Sequence, residues 1–179
     1  MRTGDAMQRE RHSAIIRDED RSRLDFYEVD QAYVDELKAV DPLIPNVNYS
    51  THGKFMCGIL FSINGLDYFA PISSFKKSQR TNFLIKNRRG QVVGSVRFSF
   101  MFPIVELKRH VKDFSQEDEK RRNLLIEELE YCNKHARRIH AKAKHVYDTV
   151  TSGSNPALQK VCCDFRKLEQ YVSEHYPKA

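Results

Sequence analysis

Apolar residues recur at alternating steps of four and three between positions 125 and 150, and this periodicity constrains the fold more than any other feature. Such spacing places the side chains on one face of an α-helix. It predicts a helix of about thirty residues, which begins near Ser115 with a pattern like a capping box and ends at Thr151-Ser152-Gly153. The apolar face consists of Leu125, Leu129, Cys132, Ala136, Ile139, Ala143, Val146 and Val150.

The first two thirds of the chain favour β-strands. Asn64-Gly65 is a strong signal for a tight hairpin turn between two runs of β-forming residues. A helix is predicted at residues 30–40, with Asp30 as its cap, and a last helix is predicted after Asn155 with Pro156 at its first position. The predicted strands span residues 24–29, 54–63, 66–72, 83–86, 92–95 and 96–102, with an extension into 104–107.

Strands in the middle and helices at the end are typical of an α+β fold. Residues 1–23 are polar and mixed in charge, and they predict a flexible N-terminal extension that adds nothing to the core. Residues 24–179 are the right size for a single domain.

Positive charge is concentrated in two segments that contain no Asp or Glu, residues 68–105 and 133–147. Together they hold twelve Lys or Arg residues, whereas the whole chain has a net charge of only +6. Segregated charge of this kind indicates a polyanionic partner, most often nucleic acid. Lys76 and Arg97 belong to this set, and the predicted RNA contacts are Lys77, Arg80, Lys86, Arg88, Arg89, Lys134, Arg137, Arg138, Lys142 and Lys144.

Several functional classes are disfavoured. The apolar runs are far shorter than the ~20 residues that cross a bilayer, and the charged N-terminus does not resemble a secretory signal. We therefore expect a cytoplasmic protein without a membrane role. The four cysteines show no C-x-x-C spacing, so free thiols are expected, with no zinc site and no cofactor. They are Cys57, Cys132, Cys162 and Cys163.

Any RNA cleavage in the first basic segment should proceed without a metal, because Mg²⁺ would lack carboxylate ligands there. RNA permits this chemistry, since its own 2′-OH can attack the adjacent phosphate. Ser73-Ser74-Phe75-Lys76 follows a predicted strand and supplies hydroxyls, a lysine and backbone N–H groups, which can orient and neutralise a phosphate. The same four residues are also common in ordinary turns. A Ser–Lys acyl-transfer pair is a further alternative and would need a buried, neutral lysine.

Several segments, taken in order along the chain, form a recognisable set. They are Leu24-Asp25-Phe26-Tyr27, Tyr33, Gly58-Ile59-Leu60, Asn64-Gly65, Tyr68-Phe69-Ala70-Pro71-Ile72-Ser73-Ser74-Phe75-Lys76 and Phe100-Met101-Phe102-Pro103-Ile104. Together they resemble the ToxN/AbiQ family of endoribonuclease toxins from type III toxin–antitoxin systems. The resemblance runs from about residue 24 to the C-terminus and is firmest at 54–104. Phe75 stands where that family usually has a proline.

The resemblance implies a twisted antiparallel sheet or partly closed barrel flanked by helices, distantly like the MazF and Kid toxins. It implies metal-independent cleavage of RNA, which leaves a 2′,3′-cyclic phosphate and a 5′-OH. It also implies a role in phage defence and inhibition by a small RNA antitoxin, whose repeats fold as pseudoknots in a closed protein–RNA assembly. A non-catalytic RNA-binding protein remains the alternative. The catalytic residues that the resemblance implies are Ser74, Lys76, Ser73, Tyr33, Tyr49 and Lys54.

Overall fold

The computed structural model describes residues 23–47 and 55–178, and at positions 55 and 56 it describes the backbone only. Apart from Arg23, the predicted N-terminal extension lies outside the described residues. Its flexibility therefore stays a prediction.

The strands of the described residues form one antiparallel sheet in the order β4-β5-β3-β2-β1-β7, with β6 paired to β3. This confirms the predicted α+β class. The edge strands β4 and β7 do not pair with each other in the described part, so the sheet is open and not partly closed into a barrel. The strands are β1 (Phe26–Val29), β2 (Phe55–Ile63), β3 (Leu66–Ser73), β4 (Asn82–Lys86), β5 (Val92–Arg97), β6 (Phe102–Pro103) and β7 (Arg109–Val111).

The predicted hairpin between β2 and β3 is confirmed. Ile63 pairs with Leu66 across a two-residue turn. Asn64 and Gly65 both adopt positive φ angles, 51° and 78°. A tight turn of this geometry matches the right-handed twist of the flanking strands, and Asn-Gly is the dipeptide that adopts it most readily.

Five α-helices lie in the described part of the chain: α1 (Gln31–Val40), α2 (Glu119–Lys134), α3 (Ala136–Ser152), α4 (Pro156–Val161) and α5 (Phe165–His175). Asp30 caps α1 as predicted, because its carboxylate accepts a 2.9 Å hydrogen bond from the Ala32 N–H. Asn155 likewise caps α4 by accepting from the Leu158 N–H at 3.0 Å.

The predicted helix of about thirty residues is wrong, because it is two helices. Residue 115 lies in a short 3₁₀ turn, and α2 instead begins after Asp118, whose side chain accepts from the Arg121 N–H at 2.9 Å. His135 leaves the helical conformation with φ −113° and ψ 17°, and its Nδ1 hydrogen-bonds the Tyr131 carbonyl at 2.9 Å. Apolar side chains are buried on both sides of this break, so hydrophobic spacing could not reveal it.

The predicted strands after residue 92 also need correction. One strand, β5, runs through to Arg97, and Phe98–Phe100 then forms a 3₁₀ turn whose first N–H donates to the Thr81 carbonyl at 2.9 Å. The predicted extension at 104–107 is absent, since Glu106–Lys108 is another 3₁₀ turn. Strand β7 was missed because Arg109-His110-Val111 has no apolar alternation and is held mainly by backbone pairing with β1.

Sheet and helices share one core. Its fully buried side chains include Phe26, Phe69, Phe102, Ile139 and Phe165. Among the described residues, no helix combines the length and the apolar character that a membrane crossing requires.

Candidate active site at the end of strand β3

Strand β3 ends in the interior of the sheet, between β2 and β5. Its last residue, Ser73, pairs with Phe55 on one side and with Ser95 on the other. The Ser73 side chain is buried, whereas Ser74 is exposed. From here the chain enters a loop of residues 74–81, which we call the site loop, before it returns as β4.

Two serine hydroxyls hold the backbone of the site loop at Phe75. The Ser73 Oγ accepts a 3.3 Å hydrogen bond from the Phe75 N–H, and the Ser95 Oγ donates a 2.7 Å hydrogen bond to the Phe75 carbonyl. Ser73 and Ser95 are both buried. In this geometry the Ser73 hydroxyl contacts the loop backbone, whereas its neighbour Ser74 is exposed to solvent.

The Asn82 side chain clamps the far half of the site loop. Its Oδ1 accepts from the Gln79 N–H at 2.9 Å, and its Nδ2 donates to the Lys77 carbonyl at 2.9 Å. Asn82 is only 1% exposed. One side chain therefore satisfies a backbone donor and a backbone acceptor of the same loop.

Arg97 braces the site loop from β5. Its guanidinium lies 4.3 Å from the centroid of the Phe75 ring and 5.1 Å from that of Phe100. Its Nη2 also donates to the Gln79 Oε1 at 3.3 Å. Arg97 is buried, and this burial lowers the pKa of its guanidinium. A guanidinium stacked on aromatic faces provides a flat, rigid support.

The outer side of the site loop is positively charged. Lys76, Lys77 and Arg80 are exposed, and none of the ion pairs found among the described residues involves them. Ser74 lies next to these cations in the chain. A hydroxyl and cations on a braced loop are groups that can orient a phosphate and stabilise charge that develops on it.

The sequence prediction missed a buried carboxyl beneath this strand end. Glu128 of α2 is 5% exposed, and burial raises its pKa to about 7, although nearby Arg121 acts in the opposite direction. A Cβ on Gly94 of β5 would lie 3.4 Å from the Glu128 Oε1 and 2.5 Å from the Ser73 carbonyl oxygen. Glu128 follows Leu125 by three positions and precedes Cys132 by four, so helical spacing could have identified it.

The structure does not bring Tyr33 to this site. Its hydroxyl donates to the Pro103 carbonyl at 2.8 Å, and Pro103 pairs with Tyr68 of β3. Tyr68 precedes Ser73 by five residues, a distance of roughly 16 Å along a strand. Tyr33 is fully buried, and burial strongly raises its pKa. These features are those of a core tyrosine with a satisfied hydroxyl.

Two predicted catalytic residues, Tyr49 and Lys54, lie outside the described residues. Their roles therefore remain predictions. Lys54 directly precedes β2, the strand that pairs with β3 next to Ser73.

The side chains predicted to contact RNA differ in whether another residue of the protein already binds their charged group. Arg88 donates two hydrogen bonds to the Glu130 carboxylate, at 3.1 and 2.7 Å. Lys144 pairs with Asp148 at 2.9 Å. Arg138 lies over the Phe83 ring at 5.5 Å. Lys142 is half-buried, and the exposed members of the set are Lys77, Arg80, Lys86, Arg88, Arg89, Lys134, Arg137, Arg138 and Lys144.

Within the described ranges, no group of three or more His, Cys, Asp or Glu side chains is placed to hold a metal ion. All four cysteines are buried free thiols, as predicted. Burial raises the pKa of Cys57 to about 12 and that of Cys162 to about 11. Such thiols are not reactive nucleophiles, since the thiolate is the reactive form.

Comparison with known proteins decides the family. Residues 25–173 match the family model described as toxin ToxN of type III toxin–antitoxin systems. The chain belongs to the ToxN family. It is 28% identical over 162 residues to endoribonuclease ToxN of Bacillus thuringiensis subsp. kurstaki, covering 84% of this chain and 83% of that one. It is 25% identical over 157 residues to endoribonuclease ToxN of Pectobacterium atrosepticum, covering 81% and 90%.

Solved structures show the same fold. A bacterial type III system with selective toxin inhibition by a non-coding RNA pseudoknot contains a chain that matches with a TM-score of 0.78 at 24% identity, covering 87% of this chain and 99% of that one. AbiQ, a lactococcal anti-phage endoribonuclease of a type III system, matches with a TM-score of 0.73 at 18% identity and covers 87% and 99%. The shared fold therefore extends over nearly the whole length of both of those chains.

Proposed function

We propose that this ToxN-family protein is a metal-independent, sequence-selective endoribonuclease toxin that is held inactive by a small RNA. The observation that carries this proposal is the site loop, which presents Ser74 and Lys76 to solvent while buried side chains hold its backbone. Two relatives that cover most of the chain are named endoribonucleases. RNA is the substrate expected in the bacterial cytoplasm.

The proposed reaction uses the substrate's own nucleophile. The 2′-OH attacks the adjacent phosphorus, and the 5′-oxygen of the next nucleotide leaves, so the products are a 2′,3′-cyclic phosphate and a 5′-OH. Ser74 and the backbone N–H groups of the site loop orient the phosphate, and Lys76 stabilises the negative charge that builds on its non-bridging oxygens. No covalent bond forms between protein and RNA. Tyr49 and Lys54 are proposed to complete the site.

The proposed inhibitor is a repeated RNA that folds as a pseudoknot and assembles with the protein into a closed complex. The exposed basic side chains of the site loop and of α3 supply the phosphate contacts. Among the relatives, one solved structure concerns selective toxin inhibition by a non-coding RNA pseudoknot, and another concerns a processed non-coding RNA that regulates a bacterial antiviral system. Phage defence is the corresponding biological role.

The deciding experiment incubates the purified protein with RNA in excess EDTA and identifies the ends of the fragments. We expect cleavage with 2′,3′-cyclic phosphate and 5′-OH ends. Intact RNA that nevertheless binds tightly would support the non-catalytic alternative. Cleavage that EDTA abolishes and Mg²⁺ restores would contradict the mechanism.

A Ser–Lys hydrolase is disfavoured by the geometry. Such a pair requires a desolvated lysine that can accept a proton, and Lys76 is exposed. Covalent labelling of Ser74 by a serine-directed acylating probe would reverse this conclusion.

A further inference from the structure

Phe75 occupies an unusual position for a large apolar residue. It lies between the exposed residues Ser74 and Lys76, and its own side chain is only half-buried. In the described part of the chain, it is not among the partly buried apolar side chains that pack against the core. Phenylalanine usually contributes to stability through core burial, so this ring calls for another explanation.

One face of the Phe75 ring is already occupied. The Arg97 guanidinium lies 4.3 Å from the ring centroid and is itself held by Gln79 at 3.3 Å and by the ring of Phe100 at 5.1 Å. Arg97 is 6% exposed, so it supports the ring from within the protein. The solvent-accessible part of the ring is therefore left for contact with another molecule.

The backbone of Phe75 is also held in place, which limits how far the ring can move. The Phe75 N–H donates to Ser73, and the Phe75 carbonyl accepts from Ser95. Both serines are buried in paired strands, β3 and β5. A flat apolar surface that is held rigidly loses little entropy when a partner stacks on it.

We propose that Phe75 is a stacking platform for the nucleobase next to the scissile phosphate, and that it contributes to the sequence preference of cleavage. This inference rests on the proposed function. Single-stranded RNA exposes planar bases, which proteins commonly bind by stacking on aromatic rings. The neighbouring Ser74 and Lys76 would contact the phosphate of the nucleotide whose base lies on the ring.

The choice of residue fits this role. Phenylalanine has a flat aromatic face on which a nucleobase can stack. Every base can stack on an aromatic ring, but purines have a larger π-face than pyrimidines, and differences in stacking strength produce modest base preferences. We therefore expect a purine preference at the nucleotide that contacts Phe75.

The chain contains no tryptophan, so a Phe75→Trp variant provides a single fluorescent reporter at the platform. We expect its emission to be quenched in a saturable manner by a single-stranded 2′-O-methyl RNA, which binds but cannot be cleaved. The matched control is Phe114→Trp, because Phe114 is also half-buried but packs on Phe26 of β1, with ring centroids 6.0 Å apart. Its emission should not respond to this RNA.

A second measurement separates stacking from a purely structural role. We expect Phe75→Leu, which keeps the apolar bulk, to weaken binding of the same RNA by about 5- to 150-fold, the range for loss of one base–aromatic stack. Phe75→Tyr should bind normally. Against an RNA with an abasic nucleotide at the contacting position, wild type and Phe75→Leu should bind equally.

Two results would overturn the platform. In the first, fluorescence anisotropy shows that the RNA binds, but the Phe75→Trp emission does not change. In the second, Phe75→Leu weakens binding of the abasic RNA as strongly as it weakens binding of the intact RNA. The proposed function is judged separately, from the cleavage ends produced by the wild-type protein. A chain that cleaves with the expected ends but shows neither effect refutes only the platform.

Discussion

The Ser95 hydroxyl donates a 2.7 Å hydrogen bond to the Phe75 carbonyl oxygen. This bond connects a buried residue of β5 to the residue between Ser74 and Lys76, so the position of the proposed catalytic groups depends on the neighbouring strand. Ser95 lies opposite Ser73 in the sheet. The two serines together hold both backbone groups of Phe75.

Ser95→Ala should slow cleavage more than it weakens RNA binding. Loss of the hydroxyl leaves the Phe75 carbonyl without its partner, which should lower the free energy of unfolding by about 1–2 kcal/mol. A displacement of the loop by ~1 Å could slow cleavage by up to ~10²-fold. Urea unfolding and single-turnover cleavage would measure the two effects. Ser62→Ala is the control, since Ser62 is exposed and its hydroxyl donates to Asp67 of the same hairpin at 2.9 Å, away from the site loop. A destabilised variant with a normal rate would show that the bond does not position the site.

Ser74→Ala and Lys76→Ala should each reduce the single-turnover rate by at least ~10²-fold, the scale for loss of one preorganised group that stabilises charge. RNA affinity should change much less, because many exposed cations share the binding. Lys120→Ala removes an exposed lysine at the start of α2 and should cleave normally. If both variants remain toxic in cells that lack the antitoxin, the site lies elsewhere, and Tyr49 and Lys54 become the residues to test.

The double variant Arg137→Glu, Arg138→Glu should weaken RNA binding and flatten its dependence on salt. Each phosphate contact that is lost should reduce the slope of log affinity against log salt by roughly 0.7. Lys144→Glu should have a smaller effect, because Asp148 already pairs with Lys144 at 2.9 Å. Filter binding at several salt concentrations gives the slopes. Identical slopes for wild type and the double variant would mean that these side chains face solvent without contacting RNA.

Glu128 should make the protein less stable as the pH rises. Burial raises the pKa of this carboxyl from its usual 4.5 to about 7, so the folded state favours the protonated form. The stabilisation is fully present below pH 4.5 and is lost as the pH rises to about 7, a change of about 3 kcal/mol.

Glu128→Gln mimics the protonated carboxyl and should flatten this dependence, as measured by urea unfolding between pH 5 and pH 8. Glu106→Gln alters an exposed carboxylate and should leave the profile of the wild type in place. The difference in stability between wild type and Glu128→Gln isolates this carboxyl from the half-buried His140, whose lowered pKa acts in the opposite direction. A difference that stays constant across this range would show that the raised pKa of Glu128 does not affect stability.

The sequence predicted the elements whose signals are local. Asn64-Gly65 and Asp30 specify a turn and a cap by their own backbone chemistry, and both are confirmed. The break at His135 was not predictable from hydrophobic spacing, because the buried face continues through it. The hydrogen bonds from Ser95 and Asn82 to the site loop could not be predicted from the sequence either. Both depend on how the strands pair in the sheet, which places these two side chains beside the loop.

The site loop is held largely through its peptide groups, by side chains that belong to the flanking strands. Apart from Phe75 and Gln79, whose side chains contact Arg97, we expect most residues at positions 74–81 to be exchangeable without loss of the loop's shape. Related toxins could diverge rapidly in the RNA sequences they cut and in the antitoxins that silence them while the scaffold stays the same. In a cell that carries two such systems, each toxin would then be inhibited only by its own antitoxin.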